Sequence, residues 1–314
     1  MPRITPHTHP HPRTHSTNRS RLTPALLSFA LLALTAVTVR AWSDRDSPAT
    51  PSPPHPVRAA EGQRPHLVDN DGHRVAFYVT RGKGPTVVLD SGGGEDSSQW
   101  KDIVPRLHAA TGATVITYDR AGLGKSDVVP GPWKAENAVS DLRAGLRELG
   151  VTGNITLVSH SQAGEIATCL ARENPELLSG AVLVDANVPQ FFTDEEIPRL
   201  VAATQPQVDA ARKAPERPEN RQLLATAKDF APAHKAYHKV AWPDSVPATV
   251  LVSEKTPFEA SPEDARRWRE AAASFVRAAP NRTLVTAKST SHEIPAERPD
   301  LVLQEIESML PAPH

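Results

Sequence analysis

Ser161 lies in a stretch whose residue types and spacing suit nucleophilic chemistry. It occupies the tip of SHSQAG, residues 159–164, after the apolar run NITLVS (154–159) and before the helix-like EIATCLAREN. A strand, a tight turn with a serine at its tip and a helix form a nucleophile elbow, which exposes the hydroxyl for attack on a carbonyl carbon. The turn needs small residues two positions to either side of the serine, and Ser159 and Ala163 stand there. The pattern therefore predicts Ser161 as a nucleophile.

His292 is the candidate general base for that serine. Of the 13 histidines, it alone stands just past a late strand-like run, RTLVTA, and just before a C-terminal helix-like segment. An imidazole can take the proton of a serine hydroxyl during attack and return it to the leaving group. His160, next to Ser161, is predicted to pack against its surroundings instead.

Two backbone N–H groups are candidates for stabilising an oxyanion. The strand-like run TVVLDS is followed by GGGEDSSQW, residues 92–100, and three consecutive glycines let the backbone approach a substrate closely. We predict that Gly93 supplies one N–H. Gln162 supplies the second, at the start of the helix after the elbow, where the helix dipole favours negative charge.

These segments depend on a regular alternation of strands and helices. The strand-like runs cover residues 75–80, 86–91, 114–119, 154–159, 180–185, 248–253 and 282–287, with helix-like stretches between most of them. The alternation predicts an α/β fold, a mostly parallel central sheet with helices on both faces. Ligands of such sheets bind beyond the C-terminal ends of the strands, which is where Gly93, Ser161 and His292 stand.

The order of these motifs over residues 66–311 resembles the α/β-hydrolase fold family, in its serine esterase-like branch. LDSGGG is similar to the oxyanion loop of the family, STSHEIP to its late histidine loop, and DRAGLGKSD (119–127) to its D-x-x-G-x-G-x-S turn. Asp119, Gly122 and Gly124 would then shape a tight turn. The resemblance implies a carboxylic ester hydrolase with a small-molecule acyl substrate, an acyl-enzyme intermediate and no cofactor or metal. A serine at the elbow argues against epoxide hydrolase and dehalogenase chemistry, for which the family pattern has an aspartate there.

The acid that should orient His292 departs from the family pattern. The resemblance puts it in a Gly-x-x-Asp stretch after the strand that follows the insertion, and the matching VSEKTPF has Thr256 at that place. Asp185, which ends GAVLVD, fits a variant in which the acid comes one strand earlier. Glu254, two residues before Thr256, is the alternative, and of the two we favour Asp185.

The missing usual acid leaves a second class of function open. The same fold also serves as a non-catalytic or weakly catalytic ligand-binding protein, because fold does not fix function. Covalent labelling of Ser161 separates this class from the enzymes.

Residues 187–246 form an insertion between two core strands, far longer than the usual connection of about 2–6 residues. FTDEEIPRLVAATQ and ENRQLLATAKDF are helix-like, and breaks are predicted at Pro198, Pro206, Pro215 and Pro218. We predict a helical cap over the site. Phe191, Phe192 and Trp242 are expected either to line its pocket or to pack the cap against the core.

The N-terminal segment has the pattern of an export signal. Residues 1–21 carry four arginines and no acidic residue, and residues 22–39 are uncharged and largely apolar. Residues 1–41 are therefore predicted to be a signal peptide or a membrane anchor, with residues 22–39 as a possible tether. Residues 42–65 are proline-rich and predicted to be a disordered linker. The catalytic domain is expected to be exported, whether secreted or facing outward from a membrane.

Composition excludes several classes of partner and site. The formal net charge is −1, which gives no general attraction for nucleic acid. Cys169 is the only cysteine, so no intrachain disulfide forms, and we predict a small buried apolar role for it. His234 and His238 have the i, i+4 spacing of a metal pair, but we expect a solvated helix face there.

Overall fold

Eight strands form a single sheet in the computed structural model, which describes residues 64–310. They are β1 His66–Asn70, β2 His73–Thr80, β3 Thr86–Asp90, β4 Thr114–Asp119, β5 Ile155–His160, β6 Leu178–Val184, β7 Ala248–Ser253 and β8 Arg282–Ala287. Their order is β1-β2-β4-β3-β5-β6-β7-β8. β2 is antiparallel to both β1 and β4, and the neighbours from β4 to β8 are parallel. The predicted mostly parallel sheet is confirmed.

Helices cover both faces of this sheet. They are α1 Val104–Thr111, α2 Ala135–Glu148, α3 Ala163–Glu173, α4 Glu196–Ala211, α5 Pro218–Lys228, α6 Phe230–Tyr237, α7 Pro262–Arg277, α8 Ile294–Glu297 and α9 Pro299–Met309. Residues of α2, α3 and α7 pack on one face and residues of α1, α8 and α9 on the other. Along β3, Val88 joins the first of these cores and Val87 and Leu89 the second, as the alternation of side chains in a strand requires.

Two details differ from the sequence-based expectation. β1 has no counterpart among the predicted strands, because only Val68 is buried in it and its pattern is mostly polar. Pro198 and Pro206 do not end the first helix of the insertion, since α4 runs through both. Pro198 lies in the first turn of α4, where its missing N–H has no intrahelical partner to lose.

The N-terminal predictions fall on residues that the structure leaves undescribed. The predicted signal peptide or anchor (1–41) lies wholly outside the described residues, and so does nearly all of the predicted linker (42–65). Within residues 64–310, none of the helices combines the length and apolar character needed to cross a membrane.

Candidate active site

Ser161 occupies the turn between β5 and α3. All six residues of β5 are buried, and the chain leaves it through Ser161 with φ of 55°, in the left-handed region that a non-glycine residue rarely adopts. Strain of this kind is expected at a nucleophile elbow, and here it occurs with Ser159 and Ala163 in the positions of the usual glycines. The Ser161 backbone is fixed from both sides, because its N–H donates to Val184 O and its carbonyl accepts from Asn187 N–H at 2.8 Å.

His292 reaches this serine from the loop between β8 and α8. Its Nε2 lies 2.8 Å from Ser161 Oγ, and its Nδ1 lies 2.8 Å from Asp185 Oδ2. With the Nδ1 proton donated to Asp185, Nε2 is free to accept the hydroxyl proton. The structure therefore brings together the predicted nucleophile, the predicted base and the favoured acid in one hydrogen-bonded chain.

Asp185 is a fully buried carboxylate with four hydrogen bonds. Its Oδ1 accepts from Ser253 N–H (3.1 Å) and Trp268 Nε1–H (2.9 Å), and its Oδ2 accepts from Ser253 Oγ–H (2.5 Å) and His292. Burial alone opposes ionisation of Asp185, but the hydrogen bonds and charge of His292, with the bonds from Ser253 and Trp268, outweigh it and lower the pKa of Asp185. The carboxylate thus stays charged opposite the His292 ring.

Glu254, the alternative acid, is not at the histidine ring. Its exposed carboxylate accepts a hydrogen bond from Ser289 N–H at 2.6 Å, and so it braces the loop that leads to His292. Thr256, in the place of the usual acid, is buried with φ of 59°, and its Oγ1 accepts from Phe258 N–H. A threonine therefore shapes a turn where the family pattern has a carboxylate.

The predicted oxyanion donors, Gly93 and Gln162, belong to segments that adjoin Ser161. Gln162 is the N-cap of α3, so its N–H has no partner within the helix. A Cβ built on Gly92 would be 3.6 Å from Ser161 Cβ and only 2.7 Å from His160 Nδ1, so this glycine allows the loop to approach Ser161 closely. Gly93 follows directly and is buried.

His160 has more than the packing role predicted for it. Its Nδ1 accepts from Gln99 Nε2 at 3.0 Å, and its Nε2 donates to the backbone carbonyl of His292 at 3.0 Å. Gln99 Oε1 in turn accepts from Gly92 N–H at 2.9 Å. A continuous hydrogen-bonded chain thus joins the glycine loop to the loop of the candidate base.

We expect His160 to make the fold sensitive to acid. Burial, followed by the nearby charge of His292, lowers the pKa of His160 to about 3, so this ring stays neutral in the native state while it is protonated below about pH 6.5 in the unfolded chain. Unfolding free energy should therefore fall as pH drops through that window, by up to about 1.4 kcal/mol per pH unit from this residue. His160→Gln can keep both hydrogen bonds without titrating, so its unfolding free energy should depend less on pH. Urea unfolding of both proteins at about pH 7 and about pH 5 measures the difference, and equal pH dependence would contradict it.

The insertion contains three helices, α4, α5 and α6, and α5 contacts the elbow. Gln162 Nε2 donates to Thr226 Oγ1 of α5 at 3.4 Å, and Ser161 is only 2% exposed. A helical cap over the site stays a prediction. Phe191, Phe192 and Trp242 are buried in the main core. We expected these aromatic residues either to line a pocket or to pack the insertion against the core, and the structure supports packing against the core.

One prediction about the insertion is wrong. His234 does not belong to a solvated face: it is buried between the rings of Phe192 and Phe230, with Nε2 3.3 Å from Glu165 Oε1 of α3. The aromatic residues around it remove it from solvent, whereas His238 is exposed.

Among residues 64–310, no His, Cys, Asp and Glu side chains group in a way that could hold a metal ion. Cys169 is buried as predicted, and burial raises the pKa of its thiol to about 12.

A sequence profile described as the alpha/beta hydrolase family matches residues 87–305, which includes Ser161, Asp185 and His292. This chain is an alpha/beta hydrolase. Its fold and the order of its elements agree with that family throughout the matched region, and its relatives include hydrolases.

One sequence relative and two solved structures match most of the length of this alpha/beta hydrolase. The uncharacterized protein YqjL of Bacillus subtilis (strain 168) is 26% identical over 232 residues, which cover 72% of this chain and 85% of YqjL. A thermophilic esterase from Thermogutta terrifontis, solved with malate bound, superposes with a TM-score of 0.53 at 23% identity, over 78% of this chain and 97% of the esterase. A bromoperoxidase from Bacillus anthracis gives a TM-score of 0.58 at 19% identity, over 78% and 99% of the two chains. At these identities, the two structures establish a common fold.

Several residues of the site were missed from the sequence. Ser253 ends β7, and a polar residue at the end of a buried strand is a signal for a site residue, whereas Gln99 lies in a short 3₁₀ helix after the glycine loop and has no such signal. Trp268 comes from the middle of α7, and nothing in the local sequence of that amphipathic helix indicates a bond to Asp185. Arg120 belongs to DRAGLGKSD, and that motif predicts only a tight turn and no contact of the arginine with the glycine loop.

Proposed function

We propose that this alpha/beta hydrolase is a serine hydrolase that cleaves a carboxylic ester or a related acyl substrate through an acyl-enzyme intermediate. The observation that carries the proposal is the unbroken hydrogen-bonded chain from Ser161 Oγ through His292 to Asp185. It supplies a nucleophile, a base and a buried charge in the arrangement that activates a serine hydroxyl.

Each group in the chain has a defined task in this reaction. Ser161 Oγ attacks the carbonyl carbon as His292 Nε2 takes its proton, and the Asp185 carboxylate stabilises the imidazolium that forms. The N–H groups of Gly93 and Gln162 donate to the oxyanion, each typically worth about 3–4 kcal/mol in such sites. His292 then protonates the leaving alcohol, and a water molecule hydrolyses the acyl-enzyme by the same steps in reverse roles.

A purely ligand-binding role has less support once the acid is considered. That alternative depended on the threonine at position 256, and Asp185 supplies a carboxylate to His292 from the neighbouring strand. We also propose that the enzyme acts outside the cytoplasm, free or tethered through residues 22–39. That part of the proposal rests on the charge and hydropathy pattern of residues 1–41 alone.

Labelling with a fluorophosphonate probe tests the proposed function. The probe phosphonylates an activated serine as its oxygen displaces fluoride from phosphorus, so we expect the wild-type protein to be labelled stoichiometrically and Ser161→Ala to show no labelling. Ser308→Ala removes an exposed hydroxyl at the end of α9 and should be labelled like the wild type. An unlabelled wild-type protein that is folded and fails to hydrolyse short p-nitrophenyl esters would contradict the proposal.

A further inference from the structure

Arg120 is a buried arginine that contacts the glycine loop rather than solvent. It is only 4% exposed and lies directly after β4, in the turn that begins with Asp119. Its Nη1 donates to Asp90 Oδ1 at 2.7 Å and to the carbonyl of Ser91, and its Nη2 donates to the carbonyl of Gly92. The guanidinium therefore holds three acceptors that all belong to the end of β3 and the start of the glycine loop.

The carbonyl of Gly92 belongs to the same peptide unit as the N–H of Gly93. In a trans peptide, the C=O and the N–H point in opposite directions within one plane, and no peptide bond among the described residues is cis. When Arg120 holds the Gly92 carbonyl, the Gly93 N–H must point away from the guanidinium. A positive charge at the carbonyl also polarises the peptide and makes its N–H a stronger donor.

The remainder of the loop agrees with a peptide held in one orientation. The Gly92 carbonyl also accepts from Glu95 N–H at 3.2 Å, in a turn where Gly94 has φ of 77°. From the other side, Gly92 N–H is held by Gln99. A glycine triplet that would otherwise be conformationally free is thus fixed by one guanidinium and one amide side chain.

We propose that Arg120 is a positioning residue for the oxyanion site, which orients the Gly92–Gly93 peptide so that the Gly93 N–H faces the carbonyl oxygen of a substrate bound at Ser161. The inference rests on the proposed serine hydrolase function. It goes further in assigning to the arginine of DRAGLGKSD a task beyond shaping its own turn. Arg120 touches no reacting atom in this assignment and acts through the peptide that it holds.

Arg120→Lys tests the proposal, because an ammonium keeps the charge but cannot bridge three acceptors with a planar fork. Arg282→Lys is a matched control. Arg282 is also buried, at 6% exposure, and it donates to two backbone carbonyls, those of Phe275 and Trp242, and to the Asp244 carboxylate. Both variants therefore lose the same kind of contact, and only the first loses it at the glycine loop.

The expected result has three parts, measured on the full chain with p-nitrophenyl acetate and the fluorophosphonate probe. Arg120→Lys should lower kcat and the labelling rate constant by about 10²-fold while KM stays within about twofold, because an oxyanion donor acts in the transition state and a small displacement of a donor has an effect of this size. Hydrogen exchange of residues 91–96, followed by mass spectrometry, should become faster. Arg282→Lys should lower the melting temperature without any of these three changes.

Other results overturn the proposal. It is wrong if Arg120→Lys keeps kcat within about threefold of the wild type, if kcat falls without faster exchange in residues 91–96, or if Arg282→Lys loses kcat to the same extent. A wild-type protein that is neither labelled nor active would refute the serine hydrolase function instead. In that case hydrogen exchange in Arg120→Lys still decides whether the arginine holds the glycine loop. Faster exchange would support that role of Arg120, and unchanged exchange would contradict it.

Discussion

Asp185→Asn should lower kcat for ester hydrolysis by about 10⁴-fold while the protein stays folded. The contacts of the carboxylate decide the orientation of the new amide. Two fixed donors, Ser253 N–H and Trp268 Nε1–H, require an oxygen at the Oδ1 position, which leaves the NH₂ group facing His292 Nδ1. The amide then donates to Nδ1, the imidazole proton moves to Nε2, and the ring can no longer accept the proton of Ser161.

The matched control for this result is Glu254→Gln. Glu254 lies in the same region but accepts only from the backbone of Ser289, and a glutamine oxygen can do the same. We expect its kcat to stay within about threefold of the wild type, since it contacts neither His292 nor Ser161. Steady-state kinetics of the two variants, with circular dichroism to verify folding, compare the two acids directly. Full activity in Asp185→Asn together with a large loss in Glu254→Gln would reverse the assignment.

Removal of Ser161, the proposed nucleophile, and removal of His292, the proposed base, should have the same large effect. Ser161→Ala and His292→Ala are each expected to lower kcat by about 10⁶-fold. Attack by Ser161 requires His292 to take its proton, so loss of either residue removes the same step. The double variant should be no slower than either single one. Ser308→Ala, which removes an exposed hydroxyl at the end of α9, is the control and should keep the kcat of the wild type.

End-point turnover at high enzyme concentration and long incubation, corrected for the rate without enzyme, measures these small residual rates. Equal residual activity in the three variants would show that Ser161 and His292 act as one unit. If the double variant is slower than either single variant by a further factor of about 10³, the two residues contribute independently, and the proposed proton transfer between them is wrong.

The sequence predicts the sheet and the serine–histidine pair because both depend on local patterns. A buried parallel strand is a short apolar run, and functional residues follow such runs at the C-terminal edge. β1 was missed for the converse reason, since an edge strand with one buried residue has no such pattern. The sequence favours Asp185 over Glu254 as the acid but does not decide between them. The decision depends on which strands lie side by side, here β5, β6 and β7, and no single segment of the sequence determines that order.

Most of the side-chain contacts that support the site could not be predicted from the sequence. Trp268, Arg120 and Gln99 reach their partners from 83, 28 and 61 residues away, respectively. Their side chains are ordinary in their own helices and turns, and only tertiary packing gives them a role. His234 was assigned to solvent because its spacing is helical, while the aromatic residues that cover it come partly from the distant segment around Phe192.

Gly164 makes Ser161 and Asp185 inseparable in any transfer of this site to another scaffold. A Cβ at this position would lie 2.3 Å from Asn187 O and 2.9 Å from Ala186 Cβ, and Asn187 N–H is bonded to the Ser161 carbonyl. The start of α3 thus rests on the main chain that follows Asp185, with no side chain between them to adjust the fit. A graft must therefore carry residues 159–164 and 184–187 together as one cassette, whereas the surrounding side chains can be redesigned for the new host.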